Sequence, residues 1–89
     1  MNRKREVKIF GEKYNFRDFV AAAVIMYERT YEEAYTGATF EGRAKMAYCT
    51  LSVLNDDFDV SFESFIAKMD DEPKGWALFI ENSEVDAVK

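Results

Sequence analysis

Residues 7–16 read V-K-I-F-G-E-K-Y-N-F and alternate apolar with polar side chains around one glycine. This stretch predicts a β-hairpin with a two-residue turn at Gly11–Glu12, because a type II′ turn takes glycine at its first central position. In that register Phe10 pairs with Lys13. Side chains alternate across a strand, so the apolar residues of both strands share one face: Val7, Ile9, Tyr14 and Phe16. The opposite face carries polar residues and a lone Phe10.

A single hairpin is marginal in water, so its apolar face must lie on other elements, and the rest of the chain predicts helices. The first helix is expected over about Phe16–Tyr35 with Asn15 as N-cap, and Gly37 suits the left-handed residue beyond its end. The second is expected over Phe40–Asn55, capped by Thr39. A short third helix follows Ser61, and Pro73 suits the first turn of a fourth.

These elements predict one domain of the α+β class, mostly α, with an N-terminal hairpin packed on about four helices. We expect a basic flexible tip over residues 1–5, the hairpin over 6–16 and a helical body over 17–89. The chain of 89 residues has no run of about 20 apolar residues that could span a membrane. Its one cysteine and the lack of a signal peptide lead us to expect a soluble protein of a reducing, intracellular compartment.

The composition excludes several kinds of chemistry. The chain contains no histidine and only one cysteine, Cys49, so imidazole catalysis and zinc sites built on histidine or paired cysteines are excluded. Cys49 is expected to be a packing residue. The acidic run at 55–59 fails as a calcium loop, because Val60 and Ile66 fall where glycine and a bidentate glutamate are required. We therefore expect no enzyme activity, no catalytic or metal-binding residue and no cofactor.

Charge is unevenly distributed along the chain. Residues 1–17 carry six Lys and Arg against two Glu, whereas residues 18–89 carry six against fifteen acidic groups, which gives −5 overall. The acidic body makes nucleic-acid binding by the basic tip an unfavoured interpretation. It leaves open that the chain is an acidic inhibitor, or a nucleic-acid mimic, that acts on a host enzyme.

Several apolar residues fall on helix faces that are otherwise polar. Such a surplus on a small domain indicates self-association or a partner groove. An alternative for the second helix is that other elements of the same chain cover it on both sides. With the outward Phe10 of the hairpin, the candidate partner contacts are Phe10, Ala22, Ile25, Met46, Val53, Leu78 and Val85.

The opening decapeptide resembles the start of tailed-phage tail assembly chaperones, whose hairpin reads apolar-x-apolar-x-Gly-x-x-Tyr-x-apolar. That pattern is matched by Val7, Ile9, Gly11, Tyr14 and Phe16. Residues 59–71, D-V-S-F-E-S-F-I-A-K-M-D-D, are similar to the second segment of the family, which precedes its last helix. The resemblance covers most of the chain.

The resemblance implies a non-enzymatic role in the cytoplasm of a bacterial host cell. Members of this family self-associate, bind the long helical tape-measure protein and help to recruit tail-tube subunits. We therefore expect a homo-oligomeric assembly chaperone of a phage or prophage. Apolar side chains on rigid helices are what a partner of that kind requires.

Overall fold

The computed structural model describes residues 5–72 and 75–79, which form an α+β fold that is mostly α. The hairpin comprises β1 (Arg5–Ile9) and β2 (Glu12–Phe16), and the helices that follow are α1 (Ala21–Tyr31), α2 (Phe40–Leu54) and α3 (Phe62–Asp71). A 3₁₀ turn spans Gly75–Leu78. The described residues thus contain three α-helices, not about four. Residues 75–78 of the predicted fourth helix form this 3₁₀ turn, whereas its predicted start at Pro73 and its residues beyond 79 lie outside the described residues.

The hairpin turn lies one residue earlier than predicted. Val7 pairs with Tyr14 and Ile9 with Glu12, which places Phe10 and Gly11 at the turn. Both have positive φ angles, 57° and 76°, as a type I′ turn requires. The predicted register was therefore wrong by two residues. A shift of two preserves the alternation, so the apolar face is confirmed, with all four of its residues buried.

Distant contacts hold Phe10 in a conformation that bulky residues rarely adopt. The backbone N–H of Phe10 donates to Oε2 of Glu72 over 2.7 Å. The ring meets Phe65 edge to face, with centroids 6.3 Å apart, and Nζ of Lys68 lies 5.3 Å from the ring centroid. The residues that place the turn here thus lie on α3 and at its end, far from the hairpin in sequence.

Helix α1 is shorter than predicted at both ends. Asn15 is not its cap, because Asn15 belongs to β2, and the capping position falls to Val20, which has no side chain able to cap. The helix closes at Glu32, which has a φ of 56°, and does not reach Tyr35. Gly37 has a positive φ of 73° but lies in the loop beyond.

The predicted caps of α2 and α3 are confirmed. Oγ1 of Thr39 accepts a hydrogen bond from the N–H of Gly42 over 2.9 Å, and Oγ of Ser61 accepts one from the N–H of Ser64 over 3.1 Å. Both satisfy a backbone donor that the first turn of a helix leaves without a partner. These two starts are encoded locally.

The buried side chains form two clusters on opposite sides of α2. The hairpin cluster joins the hairpin to α2, α3 and the loop between them, and contains Val7, Ile9, Tyr14, Phe16, Ala47, Leu51, Phe58, Phe65 and Met69. The tyrosine cluster joins α1 to α2 and contains Ala23, Tyr27 and Cys49. Helix α2 is therefore covered on two sides within the one chain.

The basic tip predicted for residues 1–5 is too long by one residue. Arg5 begins β1, where Nη1 lies 2.8 Å from Oδ1 of Asp18 and the guanidinium carbon lies 5.0 Å from the centroid of the Phe16 ring. These contacts give Arg5 a fixed position at the end of the hairpin. The remaining residues of that predicted tip, 1–4, lie outside the described residues.

Candidate protein-binding surface

Helix α1 has one buried and one exposed side. Ala23 and Tyr27 turn toward α2 and are 0% and 2% exposed. Ala22 and Ile25 turn away, and the Ile25 side chain is 48% exposed. A single exposed apolar side chain is common on a protein surface. Several exposed apolar groups side by side, as here, indicate a contact surface.

The exposed side of α1 presents a shallow, open surface between neighbouring side chains of this one helix, which we call the α1 groove. It is lined by Ala22, Ile25, Met26, Arg29 and Thr30. Its first turns are apolar, and Met26 is an adaptable side chain that can follow the shape of a bound group. Arg29 and Thr30 give the far end hydrogen-bond donors. This arrangement suits an apolar stripe of another helix.

Two other predicted contacts lie inside the chain. Met46 and Val53 are half-buried on the side of α2 that faces α1, and both pack against the tyrosine cluster. Their apolar character is therefore accounted for by the monomer, as in the alternative that placed covering elements on both sides of the second helix. They do not join Ala22 and Ile25 in the α1 groove.

Phe10 also differs from its predicted setting. It is half-buried and packs against the hairpin cluster, so it does not stand out from an open hairpin face. Leu78 lies in the 3₁₀ turn Gly75–Leu78. Val85 lies outside the described residues. Among the candidate contacts whose side chains the structure describes, Ala22 and Ile25 lie together on an exposed surface.

A hollow of about 210 Å³ opens between the end of the hairpin and α2. Three of its polar side chains have partners within the chain. Nη1 of Arg43 donates to the carbonyl of Gly37 over 3.0 Å, and the Thr50 hydroxyl donates to the carbonyl of Met46 over 2.8 Å. Asp18 pairs with Arg5, and the fourth polar side chain that lines the hollow is Tyr35. This hollow therefore offers no arrangement of an acid, a base and a nucleophile.

The one thiol is placed for packing. Cys49 is 0% exposed, and burial raises its pKa to about 11, so the thiol stays protonated at neutral pH. Within residues 5–72 and 75–79, no three Asp, Glu or Cys side chains lie close enough together to hold a metal ion. The chemistry that the described surface offers is apolar contact with a polar border.

Sequence reasoning missed part of the exposed apolar surface. Phe19 is 57% exposed and Phe40 is 48% exposed, and neither is among the seven predicted contacts. Phe19 precedes α1 because the helix begins later than expected, so a helical wheel does not apply to it. The α1 groove also includes Met26 and Arg29. Met26 is four residues from Ala22, and Arg29 is four residues from Ile25. This spacing could have predicted that both side chains lie on the same helix face as the two predicted contacts.

Searches of protein-family models, curated proteins and solved structures find no match to this chain. In the part of the chain that the structure covers, no helix is both long and apolar enough to cross a membrane.

Proposed function

We propose that this chain is a non-enzymatic tail assembly chaperone of a phage or prophage, which self-associates and binds the tape-measure protein during tail assembly. The observation that carries the proposal is the α1 groove, where Ala22 and Ile25 lie exposed beside the half-buried Met26 on one helix face. The tape-measure protein is proposed as the partner because residues 7–16 and 59–71 resemble the tail assembly chaperone family. Recruitment of tail-tube subunits is part of the same proposal.

The groove suits a long helical partner for a physical reason. An amphipathic helix offers apolar side chains three and four residues apart, which is also the spacing of Ala22, Ile25 and Met26. Because Ile25 is 48% exposed, transfer of its remaining exposed surface into an apolar contact contributes about 1 kcal/mol. The exposed Glu28, Glu32 and Glu33 at the end of α1 add negative charge beside the groove, which favours solubility of the free chaperone.

The direct test is co-expression of the full chain with a helical fragment of the tape-measure protein whose gene is expected directly downstream. We expect the fragment to stay soluble and to co-purify. Ala22→Glu and Ile25→Glu place a charge in the α1 groove and should reduce recovery of the fragment about tenfold, because each opposes the transfer of apolar surface from water.

The matched control is Ala67→Glu, which adds the same charge at an exposed alanine of α3. It should leave recovery of the fragment unchanged. The proposal fails if the unmodified chain does not retain the fragment, or if the control and the groove variants lose it equally. Circular dichroism of each variant separates loss of binding from loss of folding.

Salt dependence separates this function from the acidic inhibitor or mimic. Apolar binding at the α1 groove should persist when the salt concentration is raised, whereas a complex made through carboxylates should weaken steeply. Nine of the fourteen described acids occur in three separate segments, at the end of α1, after α2 and at the end of α3, and the other five are spread over the hairpin, the residue Asp18 and the starts of α2 and α3. A complex with a nucleic-acid enzyme that dissociates in salt would favour the mimic.

A further inference from the structure

The outer edge of β1 carries backbone groups that point away from β2. Partners in an antiparallel pair alternate between residues that exchange hydrogen bonds and residues that do not. Asn15, which is opposite Glu6, turns its N–H and C=O outward, since both are bound by the side chain of Asn55. The N–H and C=O of Glu6 must therefore point outward on the β1 edge. Because hydrogen-bonded and non-hydrogen-bonded pairs alternate, the N–H and C=O of Lys8, two residues further on, point outward as well.

The outward backbone groups on the two edges of the hairpin have different hydrogen-bond partners. On the β2 edge, Oδ1 of Asn55 accepts from the N–H of Asn15 over 2.8 Å and Nδ2 donates to its carbonyl over 2.9 Å. On the β1 edge, Glu72 binds the N–H of Phe10. Between that point and the strand's start, no residue of the described chain pairs with the backbone of Glu6 or Lys8, and both residues are exposed. An open strand edge is a template for another strand.

The side chains along β1 add a second observation. Lys8 lies directly opposite Lys13, and both are exposed. Like charges in that position destabilise a strand pair. Across the described residues, neither lysine forms an ion pair with an acid. On the solvent face of β1, the positive charge of Lys8 is therefore not paired with an acid. Two residues away, Glu6 supplies a negative charge on the same face.

We propose that a second copy of this chain pairs with the first through β1, antiparallel and centred on Val7. In this register Glu6 is opposite Lys8 of the second copy, and Lys8 is opposite its Glu6. The outward N–H and C=O groups of these residues then meet as hydrogen-bonded pairs. Each copy also supplies the carboxylate that relieves the Lys8–Lys13 repulsion of the other.

The result is a four-stranded sheet with a two-fold axis through its centre, and the helices of both copies lie on one side of it. The contact is self-complementary, as a closed dimer requires. This inference rests on the self-association within the proposed function and names its surface. It uses the β1 edge and leaves both α1 grooves open for a partner.

Charge reversal tests the register. Glu6→Lys and Lys8→Glu each place like charges opposite one another at two symmetric positions, and each should raise the dimer Kd about tenfold or more. The double variant E6K/K8E restores opposite charges and should restore the dimer. Analytical ultracentrifugation over micromolar to millimolar concentrations measures all four proteins.

Lys13→Glu is the matched control, since it reverses the same charge on the neighbouring strand and leaves the β1 edge intact; it removes the Lys8–Lys13 repulsion but creates no like-charge pair between copies, so the dimer should persist and weaken less than in Lys8→Glu. Lys8→Glu also removes the repulsion within the hairpin, so unfolding of the hairpin cannot explain a lost dimer. Amide hydrogen exchange at Glu6 and Lys8 should slow as concentration rises, whereas exchange at Lys13 should not.

Three outcomes would overturn the inference. The first is that the unmodified protein stays monomeric over the whole concentration range. The second is that Glu6→Lys and Lys8→Glu dimerise with the same Kd as the unmodified protein. The third is that the double variant E6K/K8E stays monomeric. Ile25→Glu separates the two proposals, because it should weaken binding of the tape-measure fragment and leave the dimer unchanged. Loss of the dimer alone would thus leave the α1 groove function standing.

Discussion

The two sides of α2 are stabilised in different ways. On one side, the hairpin cluster brings together both strands, α2 and α3, and Phe65 lies at its centre with 0% exposure. On the other side, the tyrosine cluster has three buried residues, Ala23, Tyr27 and Cys49, and only one of them is large. Most of the buried apolar area is therefore on the hairpin side.

This difference explains why the candidate binding surface is on α1. A helix held through small residues and one tyrosine is covered along a narrow stripe, which leaves Ala22 and Ile25 exposed on the opposite side. The strongly buried side of the molecule can then maintain the fold while α1 presents its outer surface. Regions that bind partners are often drawn from the less stable parts of a domain.

Phe65→Ala should have the largest effect on stability. The Phe65 ring meets those of Tyr48, Phe58 and Trp76 with centroids 5.6, 5.8 and 5.5 Å apart, so its removal leaves a cavity among rigid aromatic groups. We expect a loss of about 3–5 kcal/mol in the free energy of unfolding, measured by urea denaturation. Phe40→Ala, at a 48% exposed position, is the control and should cost less than about 1 kcal/mol.

Equal losses for Phe65→Ala and Phe40→Ala would contradict the assignment of the main core to the hairpin side. The comparison is informative because the residue type and the truncation are the same and both rings contact Trp76, Phe40 with centroids 5.1 Å apart, whereas Phe65 is fully buried and Phe40 is half exposed. A larger loss for Phe40 would place the main core elsewhere.

Asn55→Ala should have the next largest effect, because it removes the polar link between α2 and β2. The buried side chain of Asn55 binds both backbone groups of Asn15, and Nδ2 also donates to the Leu51 carbonyl over 3.0 Å. Groups left without partners in a buried place cost about 1–3 kcal/mol, so we expect a loss of about 2 kcal/mol in urea denaturation. Asn15→Ala keeps the backbone groups that Asn55 binds and should cost less; a greater loss there would refute this account.

The sequence predicted well what short-range chemistry decides. The starts of α2 and α3 follow from Thr39 and Ser61, whose side chains bond backbone groups three residues away. The apolar face of the hairpin follows from alternation, which a shift of two residues does not alter. Ala22 and Ile25 were found on a polar helix face because α1 has the period expected of a helix.

The features of the fold that could not be predicted from the sequence depend on contacts between residues far apart in the chain or lack a local sequence signal. The turn at Phe10–Gly11 requires Glu72, which is 62 residues away, and the Phe65 ring. The start of α1 has no capping side chain to mark it, because Val20 holds that position. Periodicity identified a second apolar face on α2 at Met46 and Val53, but it could not tell whether α1 or another chain covers that face.

Tyr27→Phe should have the smallest effect at neutral pH and a distinct one in alkali. The Tyr27 hydroxyl donates to Oε2 of Glu33 over 2.7 Å, and its loss should lower the free energy of unfolding by about 1 kcal/mol. Burial, and then the bond and charge of Glu33, raise the pKa of Tyr27 from 10.0 to about 12. Burial similarly raises the pKa of Tyr31 to about 12.

Because the folded state holds the Tyr27 proton more tightly than the unfolded chain, the corresponding stability is complete below pH 10 and is lost as the pH rises toward 12. The free energy of unfolding should therefore fall over this range, and it should fall less steeply in Tyr27→Phe. Urea denaturation at a series of pH values measures both slopes, and the absorbance of tyrosinate reports the titration. An equally steep fall in the variant would mean that Tyr27 is not the group whose ionisation weakens the packing of α1 on α2, and Tyr31, whose pKa is also raised to about 12, would be the next residue to replace by phenylalanine.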